Sequence, residues 1–145
     1  MAPVLIAYDG SDLAAFAIER AGQELAPGRE ALVVCVWHPA DVGFTPVDGE
    51  HVHAAAANEV QEAAEQVAAK GASLAEAAGF RARGLAVNAA PTWEGIVGAA
   101  REHGATLIVL GSHNRTGLMG HLSGSVAAAT VTHFGAAVLV VHRPD

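Results

Sequence analysis

Residues 106–141 have the sequence TLIVLGSHNRTGLMGHLSGSVAAATVTHFGAAVLVV. An apolar strand predicted at 106–110 leads into a loop at 111–125, where Gly and Ser recur. A helix is predicted from about 125 to 134, and a second apolar strand at 137–142. Backbone amides that carry no bulky side chain let a phosphate group approach closely. The segment therefore predicts an anion-binding loop between a strand and a helix.

The same alternation of strand and helix extends through the rest of the chain. Strands are predicted at 4–8, 31–37 and 82–88, and helices end near 25, 78 and 103. A helix over 53–78 follows a surface loop predicted at 38–52. The first two strands are continuously apolar, as expected when both faces of a parallel sheet are covered, whereas the third is less apolar and predicts an edge. The order predicts an α/β fold: an open parallel sheet with helices on both faces.

Composition restricts the class of protein. A chain of 145 residues with 52% apolar residues suits one domain over 1–145. The net charge of −7, with only eight Lys and Arg, argues against a nucleic-acid partner. No apolar run reaches the roughly 18 residues of a membrane span, and the N-terminus lacks a signal-peptide pattern. We expect no membrane partner and a cytoplasmic location.

Two loops are expected to share one crevice. Asp9-Gly10-Ser11 follows the first strand, and Gly111 begins the loop after the fourth. If these strands are neighbours, both loops open at the carboxyl edge of the sheet, where such folds bind ligands. Asp9 is a turn or helix-capping residue in one interpretation and a ligand contact in another, and both can hold together.

Familiar nucleotide motifs are absent from the chain. No G-x-G-x-x-G follows the first strand, and the single Lys70 excludes a P-loop. Present instead are Gly111-Ser112-His113-Asn114, nine further residues, and Gly124-Ser125. This arrangement, together with Asp9-Gly10-Ser11 and the closing VLVVHR, resembles the universal stress protein family, whose nucleotide-binding members carry G-x2-G-x9-G-[ST] here. The resemblance covers essentially the whole chain.

The resemblance implies a five-stranded, Rossmann-like adenine-nucleotide-binding sandwich of strand order 3-2-1-4-5, often dimerised through the last strand. It implies ribose contact by Asp9 and an adenine pocket lined by Ala7 and Val36, next to Tyr8. The remaining residues that it places at the nucleotide are Leu110, Gly111 and His113 at its border, Asn114 and Arg115 in the loop, and Gly124, Ser125, Val126 and Ala127 at the phosphates. The expected cofactor is ATP, with ADP or AMP as alternatives, and Mg²⁺ or Mn²⁺ would be held mainly by the phosphates.

Several positions leave alternatives open. Asn114 replaces the motif's second glycine; Asn tolerates left-handed backbone angles, but its side chain occupies space near a phosphate. Arg115 pairs with a phosphate or is solvated. Trp37 stacks on the base or fills the rim of the sheet. His113 and His121 would need a further ligand to hold a metal, so we predict no metal site.

No triad, carboxylate pair or Cys-His pair is assignable, so no catalytic residue is predicted and hydrolysis is expected to be slow at most. We expect a stress-response switch that binds an adenine nucleotide. The alternative is a dimeric interaction scaffold without nucleotide binding, and a weaker one is a phosphohydrolase.

Overall fold

The computed structural model describes residues 1–38, 49–113 and 118–144, with only the backbone course given for 49–57, 113 and 118–125. Strands and helices alternate throughout. In chain order they are β1 (Val4–Ala7), α1 (Asp12–Glu24), β2 (Glu30–Trp37), α2 (Gly49–Ala77), β3 (Arg81–Asn88), α3 (Thr92–Glu102), β4 (Leu107–His113), α4 (Leu118–His133) and β5 (Ala137–Arg143).

The five strands form one parallel sheet of order β3-β2-β1-β4-β5. The strand order confirms the fold predicted from the sequence. The polar strand β3 lies at one edge, as its composition predicts, and β5 lies at the other. Strand β1 is central because it pairs with β2 from Val4↔Ala31 and with β4 from Val4↔Leu107.

The sheet separates two apolar cores. Helices α1 and α2 cover one face, where Ile6 and Ile18 are buried, and α3 and α4 cover the other, where Leu5 and Ile96 are buried. Alternate residues of β1 thus enter opposite cores, because successive strand side chains point to opposite faces. Among the described residues, no helix combines the length and apolar character needed to cross a bilayer.

Three predicted boundaries are wrong. Strand β4 continues past Leu110 to His113, because Gly111–His113 pair in register with Val141–Arg143 of β5. Helix α2 begins at Gly49 rather than 53, within the predicted loop 38–52, of which residues 39–48 lie outside the described part. Helix α4 begins at Leu118 rather than near Ser125. Its Gly and Ser residues suggested a loop. A glycine inside a helix, however, lowers helix stability by only about 1 kcal/mol relative to alanine, and tertiary packing overrides a cost of that size.

Candidate functional site

A crevice of about 290 Å³ opens at the carboxyl edge of the sheet. It lies where β1, β2 and β4 end, between the first turns of α1 and α3 and the middle of α4. Its lining comprises Ala7, Tyr8, Asp9, Ser11, Leu13, Ala14, Val34, Val36, Thr92, Ile96, Leu110, Gly111 and Val126. Its size is at the lower end of ligand pockets, which span roughly 300–1,000 Å³.

The strand order explains why the crevice is there. β1 pairs with β4 up to Ile6↔Val109 and with β2 up to Ala7↔Val34. The connection after β1 passes to the face covered by α1, whereas the helices beyond β3 and β4 cover the opposite face. The connections therefore diverge at the boundary between β1 and β4, the place where open α/β sheets bind ligands. The predicted shared crevice between Asp9 and Gly111 is confirmed.

The turn after β1 is held by two local hydrogen bonds. The Ser11 backbone amide donates to Oδ1 of Asp9 over 2.9 Å, and the Ala14 amide donates to Oγ of Ser11 over 3.1 Å. Ser11 is therefore the residue that caps α1. Gly10 has φ +86°, a left-handed angle that glycine adopts without strain. The exposed Asp9 carboxylate is thus fixed at the rim of the crevice.

The walls of the crevice are mainly apolar and closely packed. Helix α3 lies directly on β2: a methyl group added at Gly95 would be 2.9 Å from both methyls of Val36. A methyl group added at Gly111 would be 2.9 Å from Cγ of Leu13. A side chain at either position would push a lining residue into the crevice, so both glycines keep its apolar surfaces in place.

Tyr8 lines the crevice but packs mainly on the side of α2. Its ring is buried among the core residues of that face, next to Gly71. Burial raises the pKa of the Tyr8 phenol above its ordinary value of 10.0, and the Asp9 and Asp12 carboxylates raise it further, with a smaller effect from Cys35. The phenol is therefore neutral at physiological pH and does not act as a base there.

Seven of the thirteen predicted site residues line the crevice: Ala7, Tyr8, Asp9, Val36, Leu110, Gly111 and Val126. Ala127 is buried in the core beneath α4, and the His113 backbone ends β4 opposite Arg143. Asn114 and Arg115 lie outside the described residues.

Gly124 and Ser125 were expected at the start of the last helix, and this placement is wrong. Both lie inside α4, which begins at Leu118. Backbone amides in a helix interior donate to the carbonyl four residues earlier, whereas the amides of the first turn have no such partner. The free amides of α4 therefore precede Gly124.

The lining residues that the sequence interpretation missed come mainly from α1 and α3. Val34 could have been predicted because it lies two residues before Val36 on the same strand and therefore on the same face. Thr92 could have been predicted because it lies just beyond the carboxyl end of β3. Leu13, Ala14 and Ile96 gave no such signal, whereas Ser11 belongs to the Asp9-Gly10-Ser11 turn that was expected at the crevice.

The structure also decides between the two interpretations of Trp37. Trp37 packs with Cys35, Ala64 and Ala68 on the face of α2, opposite to the face that Val36 lines. It fills the rim of the sheet and does not reach the crevice. Within residues 1–38, 49–113 and 118–144, no three His, Cys, Asp or Glu side chains are grouped to hold a metal ion.

Comparison with known proteins identifies the relatives of this fold. The hypothetical protein MJ0577 is 25% identical, with 99% of this chain and 97% of that chain covered and a TM-score of 0.78. A universal stress protein solved in complex with cAMP is 26% identical, with 99% and 98% covered and a TM-score of 0.64. A universal stress protein from Archaeoglobus fulgidus in complex with dAMP shares the fold at 19% identity, with 97% of each chain covered and a TM-score of 0.55.

A search of curated proteins gave no match. The sequence model of the universal stress protein family, in contrast, matches residues 1–142, nearly the whole chain. Together with the strand order and the crevice at the β1–β4 boundary, this match shows that the chain belongs to the universal stress protein family.

Proposed function

We propose that this protein binds an adenine nucleotide, ATP or its relatives ADP and AMP, in the crevice between Asp9 and the middle of α4. The observation that carries the proposal is that one crevice unites the Asp9 turn with Gly111 and the apolar ends of three strands. The 26% identical universal stress protein solved with cAMP supports the same ligand class.

Each wall of the crevice suits one part of such a ligand. Ala7, Val36 and Leu110 offer apolar surface to a flat base. The Asp9 carboxylate, held at the rim by the Ser11 amide, is placed to accept hydrogen bonds from ribose hydroxyls. Gly111 borders the opposite end, where the absence of a side chain leaves room for Leu13 of the lining. Beyond Gly111 the chain continues towards α4.

The phosphates are proposed to lie at this opposite end. His113, Asn114, Arg115, Gly124, Ser125, Val126 and Ala127 belong to the phosphate side of the proposal. Because Gly124 and Ser125 lie within α4, their amides become available only if the first turns of the helix open. A divalent ion, Mg²⁺ or Mn²⁺, would be held mainly by the phosphates.

The proposed role is a stress-response switch in the cytoplasm rather than an efficient catalyst. The described lining contains one carboxylate, Asp9, and no His or Cys that would pair with it. Such a site suits binding better than turnover.

Calorimetry with AMP and ATP tests the proposal directly. Replacing Asp9→Asn should weaken binding about 10-fold or more, because a hydrogen bond to a charged group contributes ~1.5–3 kcal/mol. Asp12→Asn is the matched control: it removes an equal charge from the first turn of α1, outside the crevice lining. Ser125→Ala and Gly124→Val test the phosphate side. Absence of wild-type binding up to millimolar nucleotide would contradict the proposal.

A homodimer formed through β5 is the second part of the proposal. β5 is an edge strand, and a groove of about 710 Å³ runs beside it, lined by Phe16, Leu25, Leu107 and residues 138–142. Unpaired edge strands with apolar side chains favour pairing with another strand. Leu139→Glu should give a monomer in sedimentation, whereas Val131→Glu, at the exposed surface of α4, should leave the dimer intact.

The same edge would serve a scaffold that binds no nucleotide. Asn114→Gly separates this alternative from the switch. If the wild type binds no nucleotide and the variant does, the scaffold is supported. If the wild type already binds, the scaffold without nucleotide binding is wrong.

A further inference from the structure

The polar side chains around the crevice are not equally engaged. Oδ1 of Asp9 accepts from the Ser11 amide, and Oγ of Ser11 accepts from the first turn of α1. Thr92, the first residue of α3, also lines the crevice. Within the described part of the chain, no hydrogen bond engages its hydroxyl, which leaves a donor and an acceptor for a ligand.

The position of Thr92 is fixed by the packing of α3. Ile96, one turn later, is 2% exposed and belongs to the core of this face. Gly95 abuts the methyls of Val36, and the Trp93 ring stacks on the His133 ring with centroids 3.9 Å apart. Thr92 is exposed to solvent, and the packing of α3 holds its side chain at one place on the rim of the crevice.

The two ends of the crevice differ in chemistry. One end, over β4, is bordered by Gly111 and Val126 and leads to α4. The other end, over β2, is formed by Val34, Val36 and Ile96, together with Thr92. If the phosphates lie towards α4, as in the proposed function on which this step rests, the base occupies the β2 end.

We propose that Thr92 is a specificity-determining residue that hydrogen-bonds the 6-amino edge of the purine. A purine buried among valine and isoleucine side chains would lose the water that solvates its polar edge, and an unpaired polar group at such a site is unfavourable. The Thr92 hydroxyl is the polar side chain at that end and accepts a hydrogen bond from the 6-amino group.

Two ligands and three variants test this contact. AMP and purine riboside 5′-monophosphate, which lacks the 6-amino group, are titrated into wild type, Thr92→Val, Thr92→Ser and Thr106→Val. Valine keeps the shape of threonine without its hydroxyl, and serine keeps the hydroxyl. Thr106 is exposed at the amino end of β4, the opposite edge of the sheet, and controls for the substitution itself.

The wild type should bind AMP several-fold more tightly than the 6-deamino analogue. Thr92→Val should lose about 3- to 10-fold in AMP affinity and little for the analogue, as expected for one neutral hydrogen bond. Thr92→Ser and Thr106→Val should both bind AMP like the wild type. Thermal melting checks that each variant is folded, and Thr92→Ala replaces Thr92→Val if valine disturbs α3.

Three outcomes would overturn the inference. Unchanged AMP binding by Thr92→Val means that the hydroxyl makes no contact. An equal loss for both ligands means that it contacts another part of the nucleotide. In both cases the proposed function stands, because the wild type binds. If the wild type binds neither ligand, the proposed function fails, and this inference fails with it.

Discussion

Substitution Gly71→Ala should destabilise the protein, although alanine is the better helix former. A methyl group at Gly71, within α2, would lie 2.5 Å from Cδ1 of Tyr8 and 2.7 Å from Cγ1 of Val33. Ordinary contact begins at 3.4 Å, so the two atoms must retreat by about 0.9 and 0.7 Å. Both side chains are almost fully buried in a close-packed core, so Val33 can retreat only against other core atoms and Tyr8 only towards the crevice that it lines.

The expected magnitude follows from two opposing effects. Overpacking of a core costs about 1–3 kcal/mol, and two simultaneous overlaps place Gly71→Ala near the upper value. The gain in helix propensity offsets about 1 kcal/mol. The net loss of about 2 kcal/mol should lower Tm by about 4–8 °C.

Gly98→Ala is the matched control, because it makes the same change inside a helix but at a site where the described residues outside the local helix backbone place no atom within 4 Å of the added methyl. It should raise stability by about 1 kcal/mol and Tm by about 2–4 °C. Urea denaturation monitored by circular dichroism measures both variants. The reasoning is refuted if Gly71→Ala is as stable as the wild type, or if both substitutions change stability in the same direction.

Three further outcomes are expected. Ser11→Ala should lower stability by about 1 kcal/mol by removing the cap of α1, whereas Ser11→Asp should largely retain it, as thermal melting can show. Because burial and the Asp9 carboxylate raise the pKa of Tyr8, the unfolded chain ionises first, and stability should fall as pH rises through about 10 and above. Tyr8→Phe should lack that fall in stability. Because Tyr8 is the one tyrosine in the sequence, tyrosinate absorbance in the wild type reports its ionisation directly. Gly111→Ala should press on Leu13 and weaken AMP binding several-fold in calorimetry; unchanged affinity would argue against a ligand at this end of the crevice.

The sequence predicts the sheet well because its strands are continuous apolar runs. Runs such as 31–37 are long enough to mark a buried parallel strand, and the polar third strand marks an edge. The carboxyl end of β4 and the start of α4 cannot be predicted in the same way. The pairing of Gly111 with Val141 depends on a partner 30 residues away, and α4 includes glycines that suggest a loop.

The site is predictable where motif residues lie on strands. Asp9 and Gly111 follow from the ends of the first and fourth strands, whereas Val36 was expected from the family resemblance. Ile96 and Leu13 reach the crevice only because α3 and α1 pack against particular strands, and no local pattern in the sequence indicates that packing. Likewise, only the structure shows that the Trp37 side chain lies on the face of the sheet covered by α2.

The stacked rings of Trp93 and His133 join the start of α3 to the end of α4, and the Arg101 guanidinium donates to the His133 carbonyl over 2.8 Å. The last turn of α4 is thereby anchored, so a ligand that opened its first turns would act on a helix fixed at its far end. Trp93 adjoins Thr92 and is one of two tryptophans in the chain. Trp93 is thus an intrinsic fluorophore at the contact between α3 and α4, the two helices that line the crevice from one face of the sheet. The emission of Trp93 offers a label-free signal for events at the crevice.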